Sequence, residues 1–487
     1  MTTRHAVEPS VGRVVTVALA VAAILIRSGL AFAQADGTRP AVGPERPFQL
    51  AQRVERTLPN GLRVVVAQQN SVPKVTATLT VMAGLANDPA DLAGLASITG
   101  EAIQEGTKNR TSADIRHQAF AMGGTLSATS VQDYTSLSIR GLSEFTPGLL
   151  DLLADVVINP TLPEQEIAIL KQQRLQAIAQ ERGSPQFLSN WEFRRALFGS
   201  HPYARVTATP ESIQAIDRAK IEGFQRSYFR PNNAFLIVVG AIDPAQTMTA
   251  VEKAFGVWQR GDVQKVGFAA PPPLVGRQVF FVQRPNSVQS SISIGNFAIK
   301  RSDPRWFEMT LTNSIFGGAF NSRVVRNIRE EKGYTYSPSS QLGAFGDAGF
   351  YRFAADVRNE VTGPTLSEVF KEVDAMRAEG SRGEELAGGK QYLRGLFAIQ
   401  TATQAGLSGV LNTVYAFGLP KDYPETFRAK IAAVTPAQVR EAAAGLLGSD
   451  NSLIVIVGDF TKVKDQLSGF KNITFVDVNG RKIPPPQ

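Results

Sequence analysis

At 487 residues the chain is too long for one ordinary core, so two or more domains are expected. Hydrophobic residues at 43% against 19% charged exclude a disordered chain, and a net charge of +8 without any Lys/Arg run excludes a nucleic-acid tail. The absence of cysteine removes disulfide and thiolate chemistry while leaving an oxidising compartment open.

The first 33 residues read as an export signal. Arg4 and Arg13 precede the apolar stretch from Val14 to Ile26, and Ala31-Phe32-Ala33 places small residues for cleavage after Ala33. The stretch is short for a membrane span, although Arg27 behind it leaves an uncleaved anchor as the alternative. A periplasmic or secreted protein is therefore expected, with no stable membrane insertion once the signal is removed. Residues 34–50, rich in Pro and Gly, form a lead-in arm.

Beyond the arm the chain repeats itself. Arg63 to Ala67 reads as a strand, Asn70-Ser71-Val72 as a turn, and Val75 to Val81 as an alternating strand. Gln278 to Val282, Asn286-Ser287-Val288 and Ser290 to Ile294 read the same way. Each copy then ends on an apolar strand, Phe235 to Gly240 and Leu453 to Gly458. Asn70 to Asn286 is an offset of 216 and Gly240 to Gly458 one of 218, so two markers give nearly one shift. An offset this long means a duplicated domain, not a solenoid repeat. The copies are placed at 51–262 and 277–482, joined by a proline-rich linker at 263–276 that contains Pro271-Pro272-Pro273. Between the strands, helices are predicted over Asp91 to Glu105, Ser112 to Met122 and Pro163 to Glu181. Hairpins with segregated helices predict an α+β fold, each domain a mainly antiparallel sheet packed with helices.

Several short segments then stand in a recognisable order. They are Thr57-Leu58-Pro59-Asn60-Gly61-Leu62-Arg63-Val64, His201-Pro202-Tyr203, Thr209-Pro210-Glu211-Ser212-Ile213 and Tyr228-Phe229-Arg230-Pro231-Asn232-Asn233. Phe316 to Arg323 and Arg329 to Tyr336 come next, in the second copy. Together they resemble the M16 family of insulinase, pitrilysin and processing peptidases, whose domains are of the LuxS/MPP-like metallohydrolase type. Active members of that family carry H-x-x-E-H on a helix after the second strand, so that two imidazoles on one helical face bind zinc and the glutamate polarises water. Aligned on Ala83-Gly84 and Gly106-Thr107, this chain has Ser97 for the first histidine, Gly100 for the base and Glu101 for the second histidine. The distal ligand falls near Gln176 or Ala177. After the leader only His117 and His201 remain, the first read as a solvated helix residue and the second as structural. No metal is expected in this chain.

The resemblance also implies what has been kept. The family's C-terminal half supplies an arginine and a tyrosine seven residues apart, matched here by Arg329 and Tyr336, with Tyr334 as a competitor. An arginine fork can hold a substrate carbonyl and a tyrosine hydroxyl can donate to the oxyanion. Gly317-Gly318-Ala319-Phe320 resembles a loop with which some partner subunits touch substrate, and a Gly-Gly turn closing a helix is the alternative. The resemblance thus implies the non-catalytic, substrate-binding subunit of a heterodimeric zinc peptidase. Gly317, Gly318, Arg329 and Tyr336 would face the peptide, and zinc would sit in a partner with intact H-x-x-E-H. A structural or peptide-binding protein without peptidase role, and a zinc enzyme with non-standard ligands, remain as the other readings.

Overall fold

The computed structural model describes Phe48 and residues 53–486, Lys265 excepted. The export signal and, apart from Phe48, the lead-in arm lie outside the described residues. The first half runs β1 (Arg53–Thr57), β2 (Arg63–Gln68), β3 (Lys74–Val81), α1 (Leu95–Ala102), α2 (Ser112–Ala121), β4 (Thr125–Ser130) and β5 (Thr135–Leu142). It continues through α3 (Thr146–Ile158), α4 (Glu164–Gly183), α5 (Pro185–Phe198), α6 (Pro210–Ala215), α7 (Arg218–Tyr228), β6 (Ala234–Gly240) and α8 (Pro244–Phe255). The second half repeats the plan with β7 (Arg277–Gln283), β8 (Gln289–Ala298), α9 (Trp306–Asn313), β9 (Ser339–Ala344) and β10 (Gly349–Arg358). Then come α10 (Thr362–Glu379), α11 (Glu385–Thr401), α12 (Gln404–Ala416), α13 (Tyr423–Ala433), α14 (Pro436–Leu446), β11 (Ser452–Gly458) and β12 (Ile473–Val476).

Each half builds one six-stranded sheet, in the orders β1-β2-β6-β3-β5-β4 and β12-β7-β11-β8-β10-β9. Five strands correspond one to one, which makes the duplication visible as topology. Most pairs are antiparallel. The exceptions are β2 with β6, and β7 with both β11 and β12, where a long excursion returns the chain in the same direction. The sixth positions differ: β1 enters antiparallel to β2, whereas β12 leaves parallel to β7.

Alternation along β3 sends Val75, Ala77, Leu79 and Val81 into the first core with Leu137 and Ile139 of β5. The opposite face carries Thr76, Thr78 and Thr80, which an antiparallel sheet ordinarily gives to water. Here α12 of the second half covers it. The Thr78 hydroxyl lies 3.1 Å from that of Ser408, and Thr80 Oγ1 donates to Asn412 Oδ1 at 2.5 Å. The exchange is reciprocal. From the first half, α5 lays Leu188, Phe193, Leu197 and Phe198 against Val282, Phe350, Leu453, Val455 and Val457. The hydroxyls of Ser189 and Ser293 meet at 2.7 Å beside them. Covered on both faces, β6 and β11 are buried almost throughout, which is why they read as unbroken apolar runs. The linker is pinned by the same seam, Phe268 resting on the rings of His201 and Tyr203. Among the described residues no helix is long and apolar enough to cross a membrane.

Because both halves share this seam, Phe193→Ala is expected to destabilise the whole chain by about 3–5 kcal/mol. The measurement is urea unfolding followed by fluorescence. A shifted midpoint in one transition is the expected result, whereas loss of only part of the signal would mean that the halves unfold independently.

Candidate functional site

The predicted helix over Asp91 to Glu105 is shorter in the structure, Leu95–Ala102, for a local reason. Gly94 adopts φ +99°, which a side chain would resist, and the Asp88 carboxyl accepts the N–H groups of Gly94 at 2.7 Å and Ala96 at 2.8 Å. The helix can begin only there. Ser97 and Glu101, one turn apart, are half-buried on the same side of α1. Gly100 faces the sheet so closely that a Cβ would stand 3.1 Å from Thr135 Cγ2 and 3.4 Å from the Ala128 Cβ. A side chain at this position would press against both strands.

Burial pushes the Glu101 carboxyl above its ordinary range, opposed by the charge of Arg174 and reinforced by Glu105. Arg174 projects from α4, the helix that carries the matched distal position. Its Nη2 donates to Thr207 Oγ1 at 2.6 Å and its Nη1 to Glu181 at 3.3 Å, while the Thr207 hydroxyl donates to Glu181 at 2.9 Å. A hydrogen-bonded cation thus lies close enough to α1 to act on Glu101, a feature that a search for metal ligands passes over because arginine is never one. Gln176 is exposed and Ala177 half-buried. His117 is exposed on α2, whereas His201 is buried, its Nδ1 accepting the N–H of Tyr203 at 3.1 Å. Among the described residues no group of three or more His, Cys, Asp or Glu side chains is placed to hold a metal ion. A hydroxyl, a bare backbone and one carboxylate do not fit zinc, which takes imidazole, thiolate and carboxylate in fours or threes.

The second half presents a different surface. After α9 the chain widens into a π-helical turn, Ser314–Gly318, and again at Val325–Glu331. Gly317 is buried there against β9, where a Cβ would stand 2.6 Å from Ser340 Oγ. Its role is close packing, in keeping with a Gly-Gly turn that closes a helix, and only Gly318 of the pair is exposed. The turn delivers Phe320 to the surface. Arg329, from the second wide turn, lies with its guanidinium carbon 4.7 Å from the Phe320 ring centre and 4.5 Å from that of Tyr336. Phe320 and Tyr336 are 67% and 79% exposed, so the cluster is open to a ligand. Tyr334 instead packs on the second core, which separates it from Tyr336. Among the described residues no carboxylate pairs with Arg329, and no hydrogen bond, ion pair or ring contact joins this stack to α1. The sequence places Phe320 in the Gly317-Gly318-Ala319-Phe320 stretch but does not show its contact with Arg329, which needs two separate turns to meet.

Residues 63–211 match the family model described as insulinase (peptidase family M16), and residues 215–393 match the peptidase M16 inactive domain. The chain belongs to the M16 peptidase family. Among its relatives, an uncharacterized zinc protease of Streptomyces coelicolor is 26% identical over 410 residues, 82% of this chain and 88% of the relative. Another from Mycobacterium leprae is 27% identical over 342 residues, 67% and 76% of the two chains. A crystal structure described as a peptidase M16 inactive domain, from Pseudomonas fluorescens, superposes with a TM-score of 0.79 at 25% identity, covering 84% of this chain and 98% of that one. A protease from Helicobacter pylori shares the fold with a TM-score of 0.80 at 16% identity, over 84% of this chain and 100% of that one. The M16 fold is thus present in both halves.

The α1 cap also carries a pH signature. Burial pushes Asp88 up to about 7 in spite of its two N–H donors and nearby Arg205. A carboxyl raised in the folded state contributes stability that is complete below its unfolded value near 3.8 and lost as pH rises through about 7. Wild-type protein should therefore lose stability relative to Asp88→Asn between pH 4 and pH 8. Urea midpoints of the two across that range provide the comparison, and a constant difference would contradict the assignment.

Proposed function

We propose that this chain is the non-catalytic, substrate-binding subunit of a heterodimeric M16 zinc peptidase acting on peptides. The observation that carries the reading is the Phe320–Arg329–Tyr336 stack. It is assembled and outward-facing, with no carboxylate paired to it among the described residues, in a chain whose own α1 lacks every family zinc ligand. Such a stack has no use for this chain's own first half, so it serves a site elsewhere. The partner is a second M16 subunit with intact H-x-x-E-H, which carries the zinc, and the two enclose a chamber between them. The export signal read from the sequence supports a complex working in the periplasm or outside the cell.

The chemistry of this chain's contribution comes from its side chains. Arg329 lies against both rings, and its N–H donors, which have no carboxylate partner among the described residues, can hold a carbonyl oxygen of the peptide backbone. The Tyr336 hydroxyl is a neutral donor that strengthens its hydrogen bond as negative charge develops on the scissile carbonyl oxygen. Arg329 thus binds and orients, and Tyr336 stabilises the transition state.

Cleavage of a fluorogenic peptide by the partner alone, by this chain alone and by the pair is the direct test. This chain alone should be inactive and the pair active. Tyr336→Phe should lower kcat of the pair on the order of 10²-fold with little change in KM or melting temperature. Equal kcat for the partner with and without this chain would end the proposal.

A further inference from the structure

Arg329 is carried by the second wide turn, Val325–Glu331. There the Lys332 N–H donates to the Asn327 carbonyl at 2.9 Å, a five-residue step, and the Tyr334 N–H closes on the Ile328 carbonyl at 2.9 Å with Gly333 at φ +62°. An α-helical register would close the turn on Glu331 instead and rotate the chain beyond it by about 100°. Arg329 lies inside the turn and Tyr336 beyond it, so the wide register decides how the two meet. Wide turns are rare because α-helical bonding competes with them, and this one has to be held open.

Apolar burial cannot do this alone. Val325 and Ile328 are buried, but burial is non-directional and fixes the depth of the turn, not its angle. The direction comes from α10. Asn327, itself buried, donates through Nδ2 to Glu368 Oε2 at 3.0 Å and to Glu372 Oε1 at 2.9 Å. The other Glu368 oxygen lies 3.6 Å from Lys332 Nζ, at the far end of the turn. Glu368 thereby engages residues on both sides of Arg329, and among the described residues no other side chain hydrogen-bonds or ion-pairs on both sides. The hydrogen bond from Asn327 holds the Glu368 carboxyl below its ordinary range, with Lys371 and Lys332 adding to it against the cost of burial, so the group is a carboxylate at neutral pH.

We propose that Glu368 is a positioning residue for Arg329: through Asn327 and Lys332 it clamps both ends of the wide turn to α10 and so holds the guanidinium against Phe320 and Tyr336. Glu368 touches no peptide and acts only through Arg329. The positioning belongs to this chain by itself, whereas its effect on cleavage rests on the substrate-holding role given to Arg329. Two substitutions separate the parts of the clamp. Glu368→Gln keeps an oxygen for Asn327 and loses only the charge facing Lys332, while Glu368→Ala removes both. The Glu368 side chain is 18% exposed and belongs to neither apolar core, so either replacement leaves the cores intact.

The experiment replaces Tyr336 by a fluorinated tyrosine in the full chain and reads its fluorine NMR resonance without a partner. Arg329→Ala marks where that resonance falls once the guanidinium is gone. Glu368→Ala should move it most of the way to that position, and Glu368→Gln should leave it near the wild-type position, each variant being shown folded by its melting transition. With the partner present, Glu368→Ala should raise KM about tenfold with little change in kcat, and should add nothing further in an Arg329→Ala background. A resonance unmoved by Glu368→Ala, or moved as far by Glu368→Gln, would overturn the inference, as would an equal rise in KM with and without Arg329. A pair that cleaves nothing would count against the proposed function alone, because the resonance decides on the clamp without it.

Discussion

The structure depends on an exchange: each half covers the second face of the other's sheet with one helix. A six-stranded sheet with helices on one side leaves its other face open, and in both halves that face is studded with hydroxyls. Thr78 and Thr80 meet Ser408 and Asn412 of α12, while Ser293 meets Ser189 of α5. Each such bond adds only about 0.5–1.5 kcal/mol net, but an unmade one in this dry seam would cost about 1–3 kcal/mol. The hydroxyls therefore set register more than strength. The adjoining apolar residues of α5, from Leu188 to Phe198, supply the bulk of the adhesion by burial. Two cores and a seam then leave the wide turns after α9 at the surface, tied to the sheet through Gly317 and β9.

How much of this is legible in the sequence depends on the range of the interaction. The strands are legible because alternation and apolar runs are local, and β6 and β11 repeat at one offset. The exchange is not, since Thr76-Ala77-Thr78 spells an ordinary water-facing strand and nothing near it names Ser408, whose position is 330 residues away. Hydrophobic spacing starts α1 a few residues too early, because the true start is fixed by Asp88 and the positive φ of Gly94, a cap that spacing does not report. At the site, an alignment can mark Arg329, Tyr336 and the stretch ending at Phe320, but the contact of Phe320 with Arg329 and the cation of Arg174 near Glu101 emerge only when separate elements meet.

The two halves have diverged in opposite electrostatic directions. In the first, Glu101 of α1 lies within the electrostatic reach of Arg174, and Arg174 is itself tied to Glu181 and Thr207. The hydrogen bonds satisfy Arg174 and Glu181, while Glu101 feels Arg174 only through its charge. In the second, no carboxylate among the described residues pairs with Arg329.

The manner in which Arg329 is held is what makes it available. A guanidinium paired to a carboxylate spends its in-plane N–H donors on that partner, as Arg323 does on Glu385. Arg329 lies close to the rings of both Phe320 and Tyr336, contacts worth about 0.5–1 kcal/mol each at an exposed site. Its hydrogen-bonding edge stays unspent. The same stack fixes Tyr336 by its ring and leaves the hydroxyl free to donate. In the proposed role, a binding group and an oxyanion donor would thus stand side by side through contacts that consume neither one's donors.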